Sequence, residues 1–230
     1  MNESAVIPLF PLGMVLVPGL VLPLHIFEQR YRELMADIEG LPEEDRAFGV
    51  VGIRGGTEVG ESGAHDLFEV GTLAAVREVE RLEDGRFDIV TVGSTRFRIL
   101  ELDRSRAYLR ARVEFLDEEP GLDAERFARD VAAAFGSYRA MFTPVEDDLD
   151  PEDDDDADDD ALPDDPGVLS YLVAAAVLAP LQQRQEFLAA PDDAARLRLE
   201  LSYLRSEMGL IAALPSLPAI DLVREPYSPN

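Results

Sequence analysis

Residues 5–27 read AVIPLFPLGMVLVPGLVLPLHIF, a stretch of 23 residues that contains no charged side chain. A helix of that length would span a bilayer, but prolines at positions 8, 11, 18 and 23 interrupt this one. Each proline removes a hydrogen-bond donor and clashes with the preceding helical turn. The stretch therefore predicts short buried strands, at 6–10 and 20–24, with a type II turn at Pro18-Gly19.

The sequence after this stretch continues mainly in strands, with one helix. Apolar residues at helical spacing predict that helix, namely Phe27, Tyr31, Leu34, Met35 and Ile38. Residues 73–82 and 87–92 flank an Asp-Gly pair, which predicts a hairpin. Apolar and charged residues alternate over 109–115 and predict a strand with one buried face. These patterns indicate a small curled sheet or pseudo-barrel.

Beyond Pro120 the apolar residues repeat with the period of a helix. Helices are predicted over 127–142, from an Asp165 N-cap to about Ala179, over 181–189, and along a final apolar stripe. That stripe consists of Leu197, Leu201, Leu204, Met208 and Ile211. The sequence thus predicts an α+β chain: a β-rich domain at 1–118, a helical bundle at 119–214, and an irregular tail at 215–230.

Acidic charge is concentrated in one segment. The chain carries a net charge of −26, and residues 146–165 hold 14 acidic residues and no basic one. Repulsion between these carboxylates predicts a disordered insertion within the helical bundle. The acidic balance argues against nucleic acid and anionic membranes as partners. The stretch before residue 5 lacks the basic residues of a signal peptide, so we expect a cytoplasmic protein.

The composition removes most catalytic chemistry. There is no cysteine, and all 21 basic residues are arginine, which excludes thiol nucleophiles, a P-loop lysine and a Ser–Lys dyad. His25 is interpreted as a residue that pins a turn by hydrogen bonding; a hydrolase that uses His25 and an unidentified serine is an alternative. The acidic segment lacks the glycine that a calcium-binding loop needs. We therefore predict no enzyme, no metal site and no cofactor.

An arginine-rich region marks the end of the β-rich domain. Between Arg96 and Arg112 six arginines stand against two acidic residues, which gives a local charge of +4. Arg98, Arg110 and Arg112 alternate with apolar residues and are expected on the outer face of the sheet. Such a face either pairs with nearby glutamates or, as an alternative function, binds RNA phosphates.

An ordered set of motifs resembles a known family. These motifs are IPLFPL (7–12), VLVPG (15–19), LPLHIFE (22–28), Arg30-Tyr31, FGVV (48–51), EVGTLA (69–74) and GSTRFRI (93–99). Together they resemble the substrate-binding domain of Lon proteases, and especially its stand-alone bacterial versions.

This resemblance implies a six-stranded, PUA-like pseudo-barrel with one helix, followed by a helical bundle. It also implies a non-catalytic module that binds unfolded or tagged polypeptide, as an adaptor or quality-control factor working with a separate protease or chaperone. Exposed polypeptide is recognised by apolar patches or open strand edges. The proline-rich opening and the first helix supply the candidate contacts: Phe10, Pro18, Phe27 and Tyr31.

Overall fold

A computed structural model describes residues 4–55, 66–142 and 161–213 of the chain. These residues form seven strands and five α-helices, with a short 3₁₀ turn at Glu43–Asp45. The strands are β1 (Ser4–Leu12), β2 (Val21–Ile26), β3 (Ala47–Gly55), β4 (Asp66–Leu67), β5 (Val70–Arg81), β6 (Phe87–Asp103) and β7 (Arg110–Phe115). The helices are α1 (Gln29–Glu39), α2 (Ala124–Ala140), α3 (Pro166–Ala176), α4 (Leu181–Ala189) and α5 (Asp193–Ala213).

Five of the strands close into a barrel. β1 pairs with β7 in antiparallel and with β3 in parallel orientation, and β3, β5, β6 and β7 follow one another around the ring. β2 pairs with the first half of β6, and the two-residue β4 pairs with the end of β3. The predicted α+β class and β-rich first half are confirmed; the seventh strand is β4, which is too short to give a sequence pattern.

The long strand β6 pairs with β5 along one edge, and along its other edge it pairs first with β2 and then with β7. Its first half pairs with β2, and its second half pairs with β7. Gly93 lies between the halves, where its carbonyl accepts a hydrogen bond from the Gly19 amide and its amide donates to the Leu20 carbonyl. A Cβ atom on Gly93 would lie 2.3 Å from the Val17 carbonyl oxygen. Glycine at this position therefore allows the β1–β2 loop to lie against the barrel.

Helix α1 packs on the barrel through the predicted apolar face, except for Phe27. Tyr31, Leu34, Met35 and Ile38 are buried against the barrel strands. The helix begins at Gln29, so Phe27 precedes it and is 54% exposed. The prediction that Phe27 shares the buried face is wrong, because the backbone is still extended at Glu28 and turns the preceding ring away from the core.

The helices of the second half agree closely with the helix starts and apolar positions predicted from the sequence. The Asp165 carboxylate accepts a hydrogen bond from the Val168 amide at 2.9 Å, which confirms the predicted N-cap of α3. This helix ends at Ala176 rather than near Ala179, and an extended segment leads to Pro180. Within the predicted stripe, three leucines of α5 are buried, and Met208 is partly buried against the same core.

One apolar cluster joins the barrel to the bundle, and two further clusters fill the barrel itself. Val15 and Val17 of the β1–β2 loop and Val70 of β5 are buried in the same cluster as the leucines of α5. The boundary at residue 118 between two domains stays a prediction.

None of the described helices is long and apolar enough to cross a membrane. His65, the acidic run up to residue 160 and the tail after residue 213 lie outside the described residues.

Candidate functional site

An apolar groove of about 1050 Å³ separates the β1–β2 loop from helix α3. One wall is formed by residues 17–20, including the turn at Pro18-Gly19. The opposite wall is α3, with Val168, Leu172 and Ala176. Gly19 has a φ of 82°, a left-handed conformation that the second central residue of a type II turn requires. This turn gives the loop a fixed shape as it forms its wall.

Helix α3 has an apolar face that no described residue covers. Its sequence, PGVLSYLVAAA, contains no charged residue, and its inward face buries Leu169 and Val173. On the outward face Val168 is 55% exposed and Leu172 is 37% exposed. A second groove of about 530 Å³ lies between α2 and α3 and shares Leu172 and Ala176 with the first. Helices that are apolar on every side are normally buried, so this exposed face is typical of an interaction surface.

The floor of the apolar groove is an ion-pair network whose two arginines are buried and whose shared carboxylate, Glu118, is 40% exposed. Glu118 lines the groove and accepts two hydrogen bonds from Arg96, at 2.7 and 3.1 Å. The remaining Arg96 nitrogen donates to the carbonyl oxygens of Leu188 and Ala190, at 2.8 and 2.6 Å. Arg96 thereby joins strand β6 of the barrel to the end of helix α4.

A second buried arginine completes this network. Arg196 of α5 donates to the Ser170 hydroxyl, the Asp193 carboxylate and the Tyr171 hydroxyl, and it lies 3.5 Å from Glu118. The Tyr171 hydroxyl in turn donates to Glu118 at 2.8 Å. Burial raises the pKa of Tyr171 and keeps its phenol protonated. The two arginines offset the charges of Glu118 and Asp193, so the floor carries no net charge.

The structure divides the four predicted polypeptide contacts into two pairs. Phe10 and Tyr31 are buried and stack on each other with ring centroids 3.9 Å apart. Both lie in the barrel core, where a ligand has no access to them. Pro18 is half-buried in the wall of the apolar groove, and Phe27 is exposed away from it. Of the predicted residues, only Pro18 contributes to the groove.

The arginine-rich region is also divided. Arg96 is only 1% exposed, so it does not belong to a solvated face. Arg98 lies 3.9 Å from Glu114, Arg110 lies 2.5 Å from Asp103, and Arg112 lies 3.1 Å from Glu101. Each of the three candidate RNA contacts thus has a carboxylate beside it, and RNA binding through them stays a prediction.

His25 lies on strand β2 with both ring nitrogens engaged. Its Nδ1 is 2.5 Å from Asp88, and its Nε2 is 3.1 Å from an Arg86 guanidinium nitrogen. This agrees with the interpretation of His25 as a structural hydrogen-bonding residue. The hydrolase alternative needs a serine at Nε2, and Arg86 occupies that side. In the part of the chain that the structure describes, no cluster of three potential metal ligands occurs.

The α3 wall of the groove was not predicted from the sequence. The sequence does contain an indication of this wall, because residues 168–181 carry no charged side chain. A surface helix normally has a polar face, and this run does not provide one. A run of that kind predicts burial, and sequence alone does not show that one side stays open. The ion-pair network of Arg96, Glu118 and Arg196 was not predicted either, because these residues lie far apart in the sequence and no local pattern joins them.

The chain matches known proteins over most of its length. The model of the family described as the ATP-dependent protease La (LON) substrate-binding domain matches residues 6–206. Lon protease 2 of Myxococcus xanthus is 28% identical over 217 residues, and Lon protease of Escherichia coli K12 is 26% identical over 211 residues. These matches cover 90% and 91% of this chain but 24% and 26% of the relatives. The chain therefore spans about a quarter of the length of these curated relatives.

Solved structures share the fold. A Lon N-terminal domain protein from Xanthomonas campestris superposes with a TM-score of 0.57 at 21% identity, covering 92% of this chain and 99% of that one. The N-terminal domain of Mycobacterium avium complex Lon protease gives a TM-score of 0.60 at 17% identity, covering 87% and 98%. Because the family model spans both the barrel and the bundle, this chain belongs to the Lon protease substrate-binding domain family.

Proposed function

We propose that this chain binds exposed apolar segments of unfolded or tagged polypeptides in the apolar groove and performs no catalysis. The observation that carries the proposal is the uncovered apolar face of α3, opposite the fixed turn at Pro18-Gly19. The family is defined by the substrate-binding part of Lon, which is distinct from its ATPase and protease parts. Membership therefore supports binding rather than turnover.

The shape of the groove suits an extended chain. Both of its walls are apolar, so the side chains of a bound client would be removed from water on each side. The neutral, hydrogen-bonded floor offers few free polar groups, which favours apolar residues without demanding one sequence. In this proposal the chain acts as an adaptor or quality-control factor and passes its client to a separate protease or chaperone.

Removing apolar surface from α3 should weaken client binding. We expect the double variant Val168→Thr, Leu172→Gln to bind about tenfold more weakly, because roughly 1.5 kcal/mol of apolar burial is lost. The measurement is fluorescence anisotropy with a small disulfide-bonded protein in two forms: native, and reduced then alkylated with iodoacetamide. The unmodified chain should bind the alkylated form and ignore the native form.

A matched variant distinguishes client binding in the groove from non-specific binding to exposed apolar side chains elsewhere. Val6 is 56% exposed and Leu210 is 58% exposed, and both lie outside the apolar groove. The double variant Val6→Thr, Leu210→Gln removes the same chemical groups and should bind as tightly as the unmodified chain. Equal binding of native and alkylated protein, or equal losses in both variants, would contradict the proposal.

A further inference from the structure

The second groove, between α2 and α3, has an apolar mouth that the bundle holds in place. Phe142 and Leu178 line this groove, and each is more than half exposed. The Phe142 ring contacts the Tyr138 ring edge-on, with the ring centroids 5.0 Å apart. The Leu178 amide donates to the Tyr138 hydroxyl at 3.3 Å, and the Leu178 carbonyl accepts from the Tyr203 hydroxyl at 2.7 Å. Two large apolar side chains are thus presented to solvent from fixed positions.

The apolar groove and the second groove meet on helix α3. Leu172 and Ala176 line both of them, stand one helical turn apart and are both exposed. With its side chains a helix is about 10 Å across, and an extended chain advances about 3.3 Å per residue. Three or four residues therefore suffice to carry an extended chain from one groove across α3 to the other. Because α3 contains no charged residue, the crossing itself meets no charge.

From this continuity we infer that the preferred client is an extended segment with two apolar clusters and a short spacer, which fills both grooves at once. The inference rests on the proposed function and names the class of client. One cluster lies between the β1–β2 loop and α3, the spacer crosses α3 at Leu172 and Ala176, and the other cluster lies against Phe142 and Leu178. Once the first cluster is bound, the second binds intramolecularly, at an effective concentration in the millimolar range.

Peptides with one or two Leu-Phe-Leu clusters test this inference by fluorescence anisotropy. The two-cluster peptides carry glycine–serine spacers of one, four or twelve residues, and glycine and serine extend the one-cluster peptide to the length of the four-residue-spacer peptide. We expect the four-residue spacer to give at least about tenfold tighter binding than one cluster alone. A one-residue spacer is too short to cross α3, so that peptide should bind within about threefold of the one-cluster peptide. The twelve-residue spacer should give intermediate affinity, because effective concentration falls once a spacer exceeds the span.

A pair of variants assigns the gain in affinity to the second groove. Phe142→Gln, Leu178→Gln removes apolar surface there and keeps the backbone groups of Leu178 that bind the two tyrosines. It should bring the four-residue-spacer peptide within about threefold of the one-cluster peptide, whose own affinity should change by less than about twofold. The control Phe27→Gln, Leu41→Gln makes the same exchanges at exposed positions outside both grooves and should keep the full gain. Circular dichroism melts verify that both variants are folded.

The outcomes separate this inference from the proposed function. If no peptide binds, the proposed function fails and the inference fails with it. If the one-cluster peptide binds as tightly as the four-residue-spacer peptide, the apolar groove binds polypeptide but the inference is overturned. A gain that the second-groove variant keeps, or that the control also loses, overturns the inference too, because the second cluster would then bind elsewhere. Sedimentation equilibrium tests for a second copy of this chain in the second groove: a dimer that only the second-groove variant abolishes would also overturn the inference.

Discussion

Replacing Arg96 with alanine should lower the free energy of unfolding by about 2–4 kcal/mol, chiefly because two backbone carbonyls lose their buried donor. The side chain is 1% exposed and makes four hydrogen bonds, two to Glu118 and two to backbone carbonyls of Leu188 and Ala190. Its loss leaves these carbonyls without a donor and reduces the compensation of the Glu118 charge. A domain is typically stable by only about 5–15 kcal/mol, so such a loss is severe.

Arg98 provides the matched control two residues along the same strand. It is exposed and lies 3.9 Å from Glu114, so Arg98→Ala should change stability by no more than about 0.5 kcal/mol. Because the chain contains no tryptophan, urea unfolding is best followed by far-ultraviolet circular dichroism. Similar losses in both variants would show that Arg96 does not join the barrel to the bundle.

Glu200→Met should stabilise the protein at neutral and alkaline pH, by about 1–4 kcal/mol. Glu200 of α5 is 1% exposed, and neither of its carboxylate oxygens has a hydrogen-bond partner among the described residues. Burial raises the pKa of Glu200 well above its ordinary value, and the attraction of Arg196 only partly opposes this shift. Asp193, the other charged group acting on it, raises the pKa further.

The pH dependence has a defined sign. Below the unfolded pKa of about 4.5, Glu200 is protonated in both the folded and unfolded states and imposes no ionisation penalty. As the pH rises from there to the raised pKa of the folded state, only the unfolded state gives up its proton, and the protein loses stability. The difference in unfolding free energy between Glu200→Met and the unmodified chain should therefore grow with pH across this window.

Urea melts at about pH 4, 6 and 8 measure that difference. Glu207 lies two helical turns further along α5 and is partly exposed, so Glu207→Met serves as the control. The control should show only a small difference in stability, because the Glu207 side chain is not buried. A stability difference for Glu200→Met that is flat or falls with pH would mean that the buried carboxyl finds a partner.

Arg96 shows that strand alternation predicts the direction of a side chain but not whether that side chain is exposed. Alternation correctly predicts that Arg96 points away from Phe97, whose ring fills the barrel beside Gly49 and Gly71. It does not predict what lies outside the barrel at that point. The end of helix α4 covers this part of the outer face, so a side chain directed outward is buried against the bundle rather than exposed to water.

The groove illustrates the same division between local pattern and packing. Pro18 was predicted from the proline-rich opening, and the α3 segment was predicted as a helix, but nothing local joins them. They lie about 150 residues apart in the sequence and meet because Val15 and Val17 pack into the core of the bundle. Phe10 and Tyr31 were equally plausible contacts by residue type, and they stack inside the barrel instead.

By itself the sequence determined the elements and their class: prolines and Asp-Gly placed turns, period-two alternation placed strands, and Asp165 and Pro166 began α3. These signals are local, because hydrogen bonding, capping and turn geometry depend on neighbouring residues. Only the tertiary structure decided which outward faces stay open, which arginines become buried, and which carboxylates line the groove. Those properties depend on contacts between segments far apart in the chain, and no local pattern specifies such contacts.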